Sequence, residues 1–264
     1  MNISKDDIRI VLVGKSGSGK SETVNNIIGE KKFKTDMTAD SVTQYCQSAT
    51  TMIQGKQVTA VDTPGIFDPS VRMQDTQREI ANFINMTLPG PHVILFVTEI
   101  GRITEEDKST LEKFKEQFGD EILEHMIFVF THYGKWKRTK KPFREYVQST
   151  EKSFPILKKY NDRFVAFEND ENGLGGKDQV QDLMRVIQHV ITANGGECYT
   201  NEMYKTRLSE IDEERRQKER EEQARLEKEQ EKMRKKEKAE EEKTRKYASK
   251  RFSEEKYKLM KRVN

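Results

Sequence analysis

Eight consecutive residues, Gly14-Lys15-Ser16-Gly17-Ser18-Gly19-Lys20-Ser21, satisfy the spacing G-x-x-x-x-G-K-[ST] at every fixed position. Glycines at these points let the backbone curl until several N–H groups face one anion, and a helix opening there adds the positive end of its dipole. Lys20 would then reach the β- and γ-phosphates of a nucleotide, and the Ser21 hydroxyl a magnesium ion. Gly14, Lys15, Ser16, Gly17, Ser18, Gly19 and Glu22 complete the candidate cradle. A second constellation, Asp62-Thr63-Pro64-Gly65, follows the apolar run Val58–Val61. An aspartate at a strand end assists magnesium directly or through water, and the Gly65 N–H, unshielded by a side chain, can meet the γ-phosphate. The stretch between Lys31 and Thr51 holds Thr35, Thr38, Thr43, Thr50 and Thr51. Thr43 is the candidate to order a first switch around metal and phosphate; the competing reading is that these are ordinary polar loop and strand residues.

These groups need a strand before the glycine loop and a helix after it. Ile8–Val13 reads as a buried strand, and Ser21–Ile28 has helical spacing with Gly29 as its stop. Further strands are expected at Val58–Val61, His92–Val97, Met126–Phe130 and Phe164–Phe167, alternating with helices near 70–86, 105–118, 143–160 and 177–193. Thr104-Glu105-Glu106-Asp107 has the form of a helix cap with an acidic first turn. The expected fold is α/β: a P-loop GTPase domain whose mostly parallel six-stranded sheet is flanked by helices, followed by a long charged C-terminal α-helix.

The chain has 264 residues, 48 Lys or Arg and 45 Asp or Glu. A net charge of +3 gives no uniform basic field, so no nucleic-acid partner is expected. Cys46 and Cys198 form neither a disulfide framework nor a metal spacing. The first residues lack an apolar signal core, Asn2 stands where myristoylation needs glycine, and no run is long enough to span a membrane. The expectation is a cytoplasmic protein.

From Glu197 onward there is neither Pro nor Gly, and between Ser209 and Lys246, 28 of 38 residues are charged, 14 of each sign. The expected division is a nucleotide-binding domain over 7–200 and a charged helical extension over 201–264. Leu208, Ile211, Leu226 and Met233 leave a gap too wide for a strong coiled-coil seam, so a solitary or weakly paired helix is favoured over a stable coiled coil or disorder. Its basic, partly aromatic end, Tyr247 to Asn264, could touch an acidic membrane or a protein partner.

At this level of detail the chain resembles the immunity-associated GTPases of the GIMAP family over about residues 7–205. The resemblance rests on the P-loop, on Asp62-Thr63-Pro64-Gly65-Ile66-Phe67, and on the stretch Leu88-Pro89-Gly90-Pro91-His92-Val93 through Thr98-Glu99-Ile100-Gly101-Arg102-Ile103-Thr104-Glu105-Glu106-Asp107, with Tyr199-Thr200-Asn201 following Cys198. It implies binding of GTP and GDP with Mg2+, homodimers or oligomers through the nucleotide face, slow hydrolysis and peripheral contact with intracellular membranes. Where many GTPases carry a water-orienting glutamine after D-x-x-G, this chain has Ile66. Arg102 is the candidate arginine offered across a dimer, against the reading of a surface arginine; with Thr43 and Gly65 it makes the candidate catalytic set. The aspartate that usually reads guanine is missing from Thr131-His132-Tyr133-Gly134-Lys135-Trp136. His132 resembles a base-stacking residue. In Phe167-Glu168-Asn169, Glu168 could accept both guanine hydrogens, the alternative being a solvated loop glutamate. Two other readings stay open: a GTP-loaded scaffold that does not hydrolyse, and an ATP-dependent P-loop kinase.

Overall fold

The computed structural model describes residues 7–34, 45–65, 72–101, 103–169 and 177–263, with side chains as far as 251. Six strands form one sheet: β1 (Ile8–Val13), β2 (Gln47–Ile53), β3 (Lys56–Asp62), β4 (Val93–Glu99), β5 (Met126–Thr131) and β6 (Phe164–Ala166). Their order is β2-β3-β1-β4-β5-β6, parallel throughout except for the β2–β3 pair. β1 and β5 are buried along their whole length, and β4 as far as Thr98, which is why they read as apolar runs, interrupted only by Arg9 in β1 and by polar residues where β4 and β5 end. Ile94 and Phe96 of β4 face one core with Phe83, Phe114 and Phe128; Val93, Leu95 and Val97 face a second core with Val24, Ile27, Leu183 and Ile187.

The first core is covered by α2 (Met73–Thr87), α3 (Glu105–Phe118), α5 (Phe143–Thr150) and α6 (Ile156–Lys159), the second by α1 (Lys20–Ile28) and α7 (Lys177–Ala193). A short α4 (Tyr133–Lys137) follows β5. The helix expected over 143–160 is two helices. Pro155 cannot donate to a preceding turn, and Phe154 turns inward between them, its ring 6.1 Å from Phe96 and 5.9 Å from Phe128. The Lys31–Thr51 stretch runs into strand β2, which takes up Thr50 and Thr51. Gln54 and Gly55, both at positive φ, close its two-residue hairpin with β3.

The long helix α8 spans Glu202–Val263. Contacts divide the chain into Met1–Leu208 and Ser209–Asn264. In the first unit, Tyr204 is fully buried and its hydroxyl donates to Thr87 Oγ1 at 2.8 Å, while Thr87 donates to Phe83 O. The approach to α8 passes against Gly90, where an added Cβ would lie 1.8 Å from Tyr199 O. The second unit is helical, with ion pairs such as Lys235–Glu231 at 2.6 Å and Lys246–Glu242 at 2.7 Å; Leu226, Met233 and Tyr247 are exposed. Among the described residues no helix is long and apolar enough to cross a membrane, and Cys46 and Cys198 are free thiols.

Candidate nucleotide-binding site

The glycine loop joins β1 to α1 at the C-terminal end of the parallel strands, where open α/β sheets take their ligands. Two glycines there are irreplaceable for different reasons. A Cβ on Gly14 would sit 2.2 Å from Val97 O, so the loop leans directly on β4. Gly19 caps α1 at φ 89°, and a Cβ there would meet Asn169 Nδ2 at 2.8 Å. Lys20 is buried and arches back over the loop, donating to Gly14 O at 3.0 Å and Lys15 O at 2.8 Å.

Ser21, in the first turn of α1, donates to Asp62 Oδ2 at 2.5 Å. Asp62 ends β3 and is 1% exposed; its other oxygen, Oδ1, has no hydrogen-bond partner among the described residues. Burial pushes its carboxyl above the ordinary carboxylate range, opposed by the Ser21 hydroxyl and the Lys20 ammonium. A buried orphan carboxylate oxygen beside a hydroxyl suits a hard, oxygen-seeking cation. Thr63 anchors the turn by donating to Leu12 O at 2.6 Å, and a Cβ on Gly65 would lie 3.2 Å from Ser16 N, so the two glycine-bearing loops touch.

Lys15 takes a different course from Lys20. Its ammonium lies 3.0 Å from Thr104 Oγ1 and 3.1 Å from Asp107 Oδ2, across from the loop at the start of α3. Asp107 is 1% exposed and also accepts from Thr104 N at 2.9 Å and Thr98 Oγ1 at 3.0 Å. Burial works against its ionisation, but the bonds from Thr104 and Lys15 hold its carboxyl below the usual range. The Thr104–Asp107 pair is the expected helix cap, a capping box. Its pairing with the glycine loop was not visible in sequence, because nothing local says where a lysine of the loop will point.

On the other flank, Thr131 at the end of β5 donates to Ser18 O at 2.9 Å. His132 follows at φ 59°, its Nδ1 3.2 Å from Thr131 Oγ1. The Glu168 carboxylate accepts the Gly134 N–H, and a Cβ on Gly134 would fall 2.6 Å from Glu168 Oε2. Glycine at that position therefore makes room for the glutamate. Gln179 brackets the Glu168 backbone, accepting its N–H at 2.9 Å and donating to its carbonyl at 3.0 Å. Asn169 is turned toward the glycine loop, donating to Gly19 O at 3.2 Å and accepting from Asn26 at 2.8 Å. Burial raises the Glu22 carboxyl, with the nearby His132 opposing. The structure thus brings together the 14–22 loop, Asp62, Gly65, His132, Glu168 and Asn169. Thr43, Ile66 and Arg102 lie outside the described residues.

One contact near this site escaped the sequence reading. Glu79 of α2 is 5% exposed; its Oε2 accepts the Cys46 N–H at 2.6 Å and its Oε1 the Asn82 amide at 3.1 Å. The available signal was its place one turn before Phe83, on the buried face of α2.

Known proteins resemble this chain in sequence and in fold. The AIG1 family matches residues 8–223. "Immune-associated nucleotide-binding protein 12" of Arabidopsis thaliana is 36% identical over 190 residues, covering 70% of this chain and 48% of its own length. Human "GTPase IMAP family member 8" is 30% identical over 196 residues, covering 74% of this chain and 29% of its own. The chain thus spans about half or less of these two relatives. Among solved structures, Arabidopsis thaliana Toc33 in complex with GDP and Mg2+ superposes over 71% of this chain and 85% of its own, with a TM-score of 0.52 and 21% identity. A structure reported under the finding that dimerization is important for the GTPase activity of the chloroplast translocon components atToc33 and psToc159 reaches 0.53 at 21% identity, over 71% of this chain and 84% of that one. At such identity these neighbours speak for the fold. With the family match running across four-fifths of the sequence, this chain belongs to the AIG1 family.

Proposed function

We propose that the chain binds GTP and GDP with magnesium and hydrolyses GTP slowly, faster when two nucleotide faces meet, so that assembly follows nucleotide state. The observation that carries this reading is the Ser21–Asp62 pair with its partnerless carboxylate oxygen, set beside a glycine loop and a buried lysine. Ser21, Asp62 and Thr43 would hold the magnesium ion, which when bound neutralises charge on the β- and γ-phosphates. Lys20 would exchange two loop carbonyls for phosphate oxygens, and the N–H groups from Ser16 to Ser21 would take up the rest. The Gly65 N–H would meet the γ-phosphate. His132 would stack on the base, while Glu168 accepts its two Watson–Crick hydrogens and Asn169 braces the loop beneath.

Ile66 has no polar group to orient a water molecule, which supports a low intrinsic rate. Arg102, offered across a dimer, would supply the missing charge; the dimerization reported for the Toc33 neighbours supports this route. Residues 7–200 would form the GTP-binding domain and 201–264 an extension for a protein partner or membrane surface, in a cytoplasmic protein peripheral to intracellular membranes.

Ile66 also favours a second reading, a GTP-loaded scaffold without turnover. Phosphate release measured against protein concentration separates the two. Specific activity that climbs with concentration, and no longer climbs in Arg102→Ala, supports the enzyme; negligible release at every concentration supports the scaffold. Calorimetry with GTP and ATP tests the base: equal binding of both by the unmodified chain would refute guanine selectivity, and an unaltered preference in Glu168→Ala would remove that residue from the role.

A further inference from the structure

Averaged over the sequence, charge almost cancels, yet residues 133–163 hold ten Lys or Arg and only three acidic residues. That stretch carries +7 in a chain whose total is +3, so the remainder is net negative. Most of the excess lies at the end of α4, the turn after it and the start of α5. Lys137, Arg138, Lys140, Lys141 and Arg144 are all exposed there. Lys141 faces Glu145 at 3.7 Å, and Lys135 pairs with Glu99. Among the described residues, no carboxylate lies within ion-pair distance of Lys137, Arg138, Lys140 or Arg144.

The turn is built to present these charges. Thr139 N–H donates to Trp136 O at 2.8 Å and Lys140 N–H to Lys137 O at 3.1 Å; Lys140 sits at φ 56°, a conformation that disfavours any residue but glycine. Trp136, the only tryptophan of the chain, pins the turn from inside, donating to Lys141 O at 3.1 Å with its ring 5.3 Å from that of Tyr146.

We propose that this turn docks on an anionic phospholipid bilayer. The cations are not gathered into a pocket and most are lysines, point charges suited to a field of headgroups rather than to one carboxylate held bidentately. Trp136 and Phe143 are half-buried and Pro142 is exposed among them, the mixture of basic and amphipathic residues that sits at a lipid interface. Because the indole is held against Tyr146 and hydrogen-bonded to the Lys141 carbonyl, it is not offered to stack on a nucleic-acid base, which separates this surface from an RNA-binding one. Each cation brought to an anionic bilayer improves partitioning by about fivefold, an effect that salt screens.

The test uses the full chain, loaded with GDP, in flotation with phosphatidylcholine vesicles with and without phosphatidylserine. Binding is expected only with phosphatidylserine and should fade at high salt. Combined Lys137→Glu, Arg138→Glu, Lys140→Glu and Lys141→Glu should weaken it by about a hundredfold or more, and the same four changed to Gln by less. Nucleotide binding by these variants reports that they are folded, since none of the four belongs to the nucleotide site. Undiminished vesicle binding by the charge-reversed chain would overturn the proposal, by placing attachment elsewhere, for example at the end of α8. Absence of vesicle binding, whether or not polyuridylate or polyglutamate is bound, would overturn it as well.

Discussion

A carboxylate that is buried, shared with a serine and left with one unused oxygen is unstable as an endpoint but well suited to receive a cation. That describes Asp62, and it sets the sharpest residue-scale expectation. Asp62→Asn keeps shape and removes charge, so GTP affinity in the presence of magnesium should fall at least tenfold, with little change in excess chelator; calorimetry under both conditions measures it. A second residue concerns stability. His92 accepts the Arg9 N–H at 3.0 Å, and burial, with the Arg9 and His125 charges, lowers its pKa from 6.5 to about 4. Unfolding returns it to 6.5, so between these values the unfolded chain holds a proton that the folded chain does not. Its share of stability is therefore complete above pH 6.5 and is lost as pH falls toward 4, by up to about 3 kcal/mol. His92→Asn, whose side-chain oxygen can replace the ring nitrogen, should flatten that part of the slope in urea unfolding across this range. At this scale the glycine loop was legible in sequence because its chemistry is executed by consecutive backbone groups. The destinations of Lys15, Glu79 and Asn169 were not, because each is set by a strand or helix distant in the chain.

Among the elements, α2 joins distant parts of the fold. At its middle Glu79 holds the backbone of Cys46, just before β2; at its end Thr87 holds Tyr204. Glu79→Ala would leave the buried Cys46 N–H unpaired and should cost about 2–3 kcal/mol of unfolding free energy, read by denaturant titration. Glu79→Gln, which keeps an acceptor, should cost less. The elements themselves were legible in proportion to their burial. β4 and β5 are apolar nearly to their ends, and β1 is apolar apart from Arg9. β2 is an edge strand in which Ala49, Thr51 and Ile53 alternate with exposed Ser48, Thr50 and Met52, so its sequence looks like a polar loop until β3 is beside it. The break between α5 and α6 was signalled by Pro155, but helical spacing on both sides masked it.

For the whole molecule, Pro and Gly cease after Gly196, and contacts place Tyr199 and Tyr204 with the first unit, which runs to Leu208. A buried tyrosine outweighs a local run of charge in deciding where a folded unit ends. A chain truncated after Leu208 should unfold at the same temperature as the full chain, within about a degree, because additive contributions from an exposed helix to a separate core are small. A chain truncated after Gly196 loses both tyrosines and should melt several degrees lower. Differential scanning fluorimetry of the two distinguishes the boundaries.

Gly90 offers a way to disturb one end of this architecture alone. With Tyr199 O only 1.8 Å from where a methyl would sit, Gly90→Ala works as a wedge beneath the root of α8, while the glycine loop and Asp62 lie at the opposite rim of the sheet. A single carbon atom could thus uncouple anchorage from ligand capture, leaving nucleotide affinity intact in calorimetry while the melting temperature drops.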